Sequence, residues 1–265
     1  MFSPVWPPNC PILVHVLTLS LDTSSPVGSL AVLRDDSLLA VVSTATEENY
    51  SSRMFRHLDF LLKDLSLTLA AFDLFSVAAG PGSFTGLRVG LTAAKGWAEV
   101  YRKPVVGVSA LEAVAIQAFL DETQRPATVI PVLDARRSQL YCAVYCSSPR
   151  SPLRIEGDAC VMSPEELSAE IERRVAGTAI SDSKQKIVIA TPDPALLSSC
   201  ASRFEKIAAP SRNVSIIIQP VSAILAPAIG RIGYASAQRG DFSDALTLDA
   251  NYVRRSDAEL QLKGK

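Results

Sequence analysis

Residues 75–96, FSVAAGPGSFTGLRVGLTAAKG, constrain the fold more than any other part of the chain. An apolar run stops at Gly80, Pro81, Gly82, Ser83, Phe84, Thr85 and Gly86 and reopens with helical periodicity, so a strand must hand over to a helix within a few residues. Such a turn leaves backbone N–H groups unpaired at the positive end of a helix dipole, where an anion is favoured. Two familiar glycine fingerprints nevertheless fail. The Walker pattern needs Gly-Lys-Ser/Thr where Gly86, Leu87 and Arg88 stand, and G-x-G-x-x-G would put its third glycine at Thr85. Phosphate binding through Gly82, Ser83, Thr85 and Gly86 and a ligand-free tight turn are both open at this point.

The flanking pattern predicts the rest of the first half. Residues 12–21 are β-rich and continuously apolar, as in a buried central strand that places His15 within it and ends at Asp22. PVGSLAVLRDDSLLAVVST reads as a hairpin in which Gly28 permits a close turn. An amphipathic helix over 49–65 carries Met54, Leu58, Leu61 and Leu65 at helical spacing, widened by Phe55 and Leu62. The helix over 85–101 shows one apolar face of Leu87, Leu91, Ala94 and Ala98 and a second of Val89, Ala93, Trp97 and Val100, with Gly86 and Gly90 on a common side. KPVVGVS is a short strand, and Ser109 with Glu112 forms a capping box for the helix that follows. The order β-β-β-α-β-α-β-α implies a mixed sheet with an antiparallel hairpin, unlike a nicotinamide-binding βαβ alternation.

The second half reads as less regular: two strands around Asp134, Ala135, Arg136 and Arg137, a helix opened by Ser163 and Pro164, strands at QKIVIA and VSIII, and a helix over 221–238. The predicted organisation is an N-terminal extension at 1–11, expected to be disordered unless it reflects the choice of start codon, then lobes at 12–108 and 109–220. A closing helix at 221–239 and a surface tail at 240–265 complete it. The extension is apolar but lacks a basic leader region, and its prolines interrupt any helix long enough to cross a bilayer.

A formal net charge of -1 with no Lys/Arg block supplies no electrostatic footprint for direct nucleic-acid binding. The five cysteines have neither disulfide-framework nor zinc spacing, which suits a reducing cytosol, and Cys142 and Cys146 alternate with Leu140 and Val144 on one strand face.

LTLSLDTSSPVGSLAVL, AAGPGSFTGLRVGLTAAKGWA, KPVVGVSALEAVA, PVLDARRSQLYCAVY and NYVRR together resemble, in order, the landmarks of the TsaB (YeaZ) family. The resemblance runs from residue 12 to 254 and is most specific at GPGSFTGLR followed by AKG. It implies an α/β chain of two ribonuclease-H-like lobes, of the actin, sugar kinase and Hsp70 superfamily. It implies a cytoplasmic subunit without catalysis of its own that pairs with a TsaD-like catalytic protein and a TsaE-like ATPase. Together these make N6-threonylcarbamoyladenosine at position 37 of tRNA, which this chain would meet only through the complex. It implies no cofactor or metal of its own, ADP or ATP only at a site shared with the partner, and a homodimer when alone.

The resemblance implies nucleotide or phosphate contacts at Asp22, Thr23 and Ser24, where capping of the strand and its turn is the equal alternative, and these join Gly82, Ser83, Thr85 and Gly86 of the loop as the candidate site. It places the partner interface on the two helices, at Met54, Leu58, Leu61, Leu65, Gly86, Val89, Gly90, Leu91 and Trp97. The two histidines, His15 and His57, lack the i, i+4 partner that a metal-bearing catalytic relative would need, and no spacing supports a peptidase. Tyr50, Ser51 and Ser52 depart from the family's histidine, serine and glutamate at the start of the first helix, and nothing is transferred to residues 178–213. The rival readings are a small-molecule kinase or phosphatase using Asp22 and the 80–86 loop, and a dinucleotide oxidoreductase suggested by Gly80 and Gly82.

Overall fold

The computed structural model describes residues 15–45, 50–118, 128–148, 151–178, 185–209 and 213–253. The extension at 1–11, the tail beyond residue 253 and the side chains of Tyr50 and Ser51 lie outside the described residues.

The elements run β1 (Leu17–Asp22), β2 (Val27–Arg34), β3 (Ser37–Ala45), α1 (Tyr50–Asp64), β4 (Leu74–Gly80), α2 (Phe84–Tyr101), β5 (Val105–Ser109), α3 (Ala110–Gln117), β6 (Thr128–Asp134), β7 (Leu140–Ser148), β8 (Ser151–Met162), α4 (Pro164–Thr178), β9 (Gln185–Thr191), α5 (Ala201–Ala208), β10 (Val214–Pro220) and α6 (Ala226–Gln238). Two compact units form, Met1–Ala113 with Ile224–Asn251 and Val114–Ala223 with Tyr252–Lys265, so the boundary divides α3 and α6 belongs to the first unit.

In the first unit the sheet order is β3-β2-β1-β4-β5, with β1, β2 and β3 antiparallel and β4 and β5 parallel to β1. Alternation gives the sheet two unlike faces. Leu19, Leu21, Leu30, Val32, Phe75 and Val77 share one, packed by α1 and α2, and all are buried. The other carries buried Thr18, Ser20, Asp22, Ser29 and Ser76 under α6. The small polar side chains let α6 sit unusually low. A Cβ on Gly233 would collide with Ser76 Oγ and stand 2.8 Å from Ser76 Cβ, and one on Gly230 would stand 3.0 Å from Ser20 Oγ. Ser20 Oγ donates to the Ala226 carbonyl at 2.7 Å, and Ser29 Oγ accepts from the Ala226 amide at 3.2 Å, so the strands satisfy the start of the helix.

The second unit contradicts the expectation of an irregular second half. Its sheet order, β10-β9-β6-β7-β8, is the same topology: β6, β7 and β8 antiparallel, β9 and β10 parallel to β6. β8 and α5 were not foreseen. β8 is an edge strand with exposed Arg154, Glu156 and Asp158 and an irregularity near Gly157 (φ 77°), so its alternation is broken. Leu140, Cys142 and Val144 do share the core face with Ile130, Ile187, Ile189, Leu167, Ile171 and Phe204. Ser163 and Glu166 cap α4 reciprocally, through Glu166 N to Ser163 Oγ at 3.2 Å and Ser163 N to Glu166 Oε2 at 2.7 Å.

The expected α/β organisation in two lobes, each built on a mixed sheet with an antiparallel hairpin, is therefore the observed one. Two local expectations fail. His15 precedes β1 in a left-handed conformation (φ 76°) with Nδ1 3.2 Å from Asp35 Oδ2, because Asp35 also accepts the Val16 amide there. Gly28 lies within β2 rather than in a turn, and the space it leaves is filled by Arg53, whose Nη2 is 2.6 Å from where a Cβ would stand.

Gly233→Ala should lower the unfolding free energy by about 1–3 kcal/mol through overpacking against Ser76. Gly177→Ala, in α4 with nothing within 4 Å of its added methyl, should be neutral or stabilising by up to about 1 kcal/mol. Thermal melts of the two variants beside the parent chain decide this, and equal shifts would refute the close-packed seam.

Candidate functional site

Two neighbouring features carry the predicted site residues: the turn that joins β4 to α2, and the outer surface of α1 and α2.

The turn is closed by its own hydrogen bonds. Asp22, at the end of β1, accepts the Ser24 amide at 2.8 Å and the Ser24 hydroxyl at 2.6 Å on Oδ1. The Ser24 carbonyl accepts the Ser83 amide at 2.7 Å, and Thr23 Oγ1 donates to the Gly86 carbonyl at 2.7 Å. Ser83 caps α2, taking the Gly86 amide on its hydroxyl at 3.2 Å and the Leu87 amide on its carbonyl at 2.8 Å. The sequence reading thus brought together residues that do meet, Asp22, Thr23 and Ser24 with Gly82, Ser83 and Gly86. Four of the turn's amides, those of Ser24, Ser83, Gly86 and Leu87, are engaged within the turn itself, so a phosphate would have to displace these bonds to use them. Thr85 is exposed and turns away toward the outer surface of α2.

The glycines of the motif have packing reasons. A Cβ at Gly82 would strike the Ser24 carbonyl, and one at Gly90 would strike Thr23 Oγ1 and approach Val77 to 3.5 Å. Gly80 holds a positive φ of 111°, which disfavours other residues.

Asp22 is fully buried, and Oδ2 meets no hydrogen-bond partner among the described residues. Burial pushes its carboxyl up to about 6, against the two hydrogen bonds from Ser24 that favour the ionised form. No group of three or more His, Cys, Asp or Glu among the described residues could hold a metal ion. His57, on α1, has Nε2 3.4 Å from Thr44 Oγ1.

The partner-facing set needs correction. Met54, Leu58 and Leu61 on α1, and Gly86, Gly90 and Leu91 on α2, are buried in the first unit, because the regular apolar stripe of each helix is the one that packs on its own sheet. Leu65 is half-buried just past the end of α1. What the two helices leave outside is different: Phe55 is 52% exposed, Phe60 59%, Phe84 40% and Val100 73%.

A groove of about 620 Å³ runs here, lined by Phe55, Phe84, Thr85, Arg88, Val89, Thr92, Ala93, Gly96 and Trp97. Of the predicted interface residues only Val89 and Trp97 line it. Arg88 lays its guanidinium 3.7 Å over the Phe84 ring, and Trp97 is backed by core Phe75 at a centroid distance of 5.8 Å. Gly96 lies in the middle of α2 with nothing within 4 Å of an added Cβ. Phe55, Phe84 and Gly96 line the groove without having been among the predicted interface residues. Their signal is an exposed aromatic beside the regular stripe and a glycine inside a helix that no neighbour among the described residues explains.

Comparison with known proteins fits this architecture. A family model described as TsaD, tRNA N6-adenosine threonylcarbamoyltransferase, matches residues 40–204. The TsaB tRNA threonylcarbamoyladenosine biosynthesis protein of Bacillus subtilis is 35% identical over 127 residues, 48% of this chain and 54% of that one. Its Haemophilus influenzae counterpart is 34% identical over 127 residues, 48% of this chain and 52% of that one. The chain therefore spans about half the length of these curated relatives. The solved YeaZ of Pseudomonas aeruginosa superposes with a TM-score of 0.66 at 22% identity, over 89% of this chain and 99% of that one, and shares its fold. With a family model covering more than half of its length and TsaB proteins among its relatives, the chain belongs to the TsaD family and within it to the TsaB (YeaZ) group.

Proposed function

We propose that this chain is the non-catalytic partner of a TsaD-type transferase in forming N6-threonylcarbamoyladenosine at position 37 of tRNA, and that the α1–α2 groove is its docking face. The observation that carries the reading is Gly96. A glycine inside a helix costs about 1 kcal/mol relative to alanine. Here nothing among the described residues uses the space it leaves, and the space opens into a groove with exposed Phe55 and Phe84. Exposed apolar surface of this kind marks a contact site, and a glycine in it admits a close-approaching helix. A related pair of partner helices would complete a four-helix arrangement. The groove's apolar character also suits self-association in the partner's absence.

Catalysis falls to the partner in this reading. Four of the turn's amides are engaged within the turn, and neither histidine has a second one near it in sequence. ADP or ATP would lie at a site shared with the partner, a TsaE-type ATPase would act on the assembled complex, and tRNA would be met through that complex. The setting is the cytoplasm; no helix among the described residues is long and apolar enough to cross a membrane.

The rival, phosphotransfer at Asp22, draws on the unpartnered Oδ2. It is separated from the scaffold reading by Asp22→Asn.

Phe84→Glu and Gly96→Gln should each weaken association with the TsaD-type protein of the same organism about thirty-fold, roughly 2 kcal/mol, while the chain stays folded. Leu58→Glu, by contrast, should unfold it. Sedimentation of the mixed proteins reads the first and circular dichroism the second; undiminished association of both groove variants would remove the docking face.

Asp22→Asn should leave association intact and change stability in a pH-dependent way. The folded carboxyl at about 6 holds its proton more tightly than the unfolded one near 3.8, so folding is favoured below about 4 and loses this contribution as pH rises through about 6. The neutral variant should gain on the order of 3 kcal/mol at pH 8 and nothing at pH 4 in denaturant titrations. ATP turnover by the isolated parent chain, abolished in Asp22→Asn, would favour the phosphotransfer reading instead.

A further inference from the structure

The sheet of the first unit has two edge strands, and the chain treats them differently. β3 is paired on one side, by β2. β5 is paired by β4, and its outer side is covered by residues 241–251, the segment that follows α6. Ser243 forms an isolated bridge with Val105, its amide donating to the Val105 carbonyl at 2.9 Å, and its hydroxyl accepts the Gly107 amide at 3.0 Å. These bonds satisfy edge groups that would otherwise be open to another strand. Asp244 then turns the segment, with its carbonyl accepting the Leu248 amide at 2.7 Å, and Leu248 lies over Gly107, where a Cβ would stand 2.6 Å from its Cδ1.

The segment next reaches the site. The Asn251 amide donates to the Ala79 carbonyl at 2.6 Å, and the Asn251 carbonyl lies 2.8 Å from where a Cβ on Gly80 would be. Gly80 opens the turn that leads to Ser83 and α2. From the other side, Lys95 of α2 donates its ammonium to the Leu248 carbonyl at 2.7 Å and the Leu246 carbonyl at 3.5 Å. Lys95 is adjacent to Gly96 of the groove but does not line it.

We infer that residues 241–251 form a strap that fixes the pose of α2, and thereby the docking groove, with Lys95 as the positioning residue that couples the two. The control of docking rests on the proposed function, whereas the hold on α2 does not. The strap grips the helix at two separated points, the turn before its first residue and its fourth turn. An ammonium is suited to this grip because it offers three donors to carbonyls that the strap's irregular backbone leaves outside any ladder. With the strap released, α2 keeps its inward contacts through Leu87, Leu91, Ala94 and Ala98, so the fold persists while the groove loses its fixed geometry.

The test uses the full chain with two changes that act from opposite sides. Lys95→Met removes the donors while keeping most of the stem, and Gly107→Ala pushes Leu248 away without touching α2. Hydrogen exchange is followed in α2, in the strap and in the β1–β2 ladder, and affinity for the TsaD-type protein is measured alongside. Both variants should speed exchange in α2 and the strap about ten-fold, leave the β1–β2 ladder unchanged and weaken association by a similar factor, with Lys95→Arg restoring the parent values. Unchanged exchange in α2 overturns the strap. Faster exchange with parent-like affinity overturns its control of docking. Faster exchange in a chain whose parent form never associates upholds the hold on α2 and strikes instead at the proposed function.

Discussion

The hydrogen bonds that close the end of β1 onto the first turn of α2 are what the rest of the first unit depends on. Ser24 stands at their centre: its amide and hydroxyl hold Asp22, and its carbonyl holds the Ser83 amide. Thr23 adds a second tie to the Gly86 carbonyl. With both ends of the turn bonded, the direction in which α2 leaves the sheet is set before any side chain packs. Its inner residues then meet the sheet and its outer residues form one wall of the groove. This also explains why a loop that looks built for phosphate is occupied by the chain itself.

The glycines of residues 75–96 look alike in sequence but answer to different neighbours. Gly80 is shaped by a left-handed backbone and the Asn251 carbonyl, Gly82 by the Ser24 carbonyl, and Gly90 by the Thr23 hydroxyl. Only contacts between segments far apart in the chain distinguish them, and those contacts have no sequence signature. Gly96 is the exception, since nothing among the described residues meets the space it leaves on the groove.

The first half of the fold was legible because each element announces itself. The continuous apolar β1, the hairpin around Asp35 and Asp36, and the amphipathic α1 and α2 give the correct order of elements. The second half was less legible for physical reasons: β8 carries charges on a solvent-facing edge, and α5 is only eight residues long. Two sheets of the same topology arise from segments with no evident sequence repeat, since the topology asks only for strand pairing and burial, which many sequences satisfy. At the site, periodicity found the apolar stripes of α1 and α2 but gave them the wrong role. A regular stripe is the signature of a helix seated on its own core, so Met54, Leu58, Leu61 and Leu91 were the residues least available to a partner. The residues outside the stripe, Phe55 and Phe84, were the informative ones.

The repeated topology gives a further argument about chemistry. Asp22 ends the first strand of one sheet and Asp134 ends the first strand of the other, so the two occupy equivalent positions. Their surroundings are opposite. Asp22 is buried, with one oxygen held by Ser24 and burial favouring its protonated form. Asp134 is exposed, accepts the Arg136 amide at 2.7 Å and has its other oxygen 3.4 Å from the Arg136 guanidinium, in a turn where Arg136, Arg137 and Ser138 all take left-handed backbone angles. A carboxylate that is to hold a metal-bound water or a phosphate-linked cation must present ionised oxygens to it. One of this pair is hidden from solvent, and the other is bonded to the amide and guanidinium of its own turn. Each carboxylate is bonded to the turn that follows its strand, while the outer side of α1 and α2 presents an apolar groove.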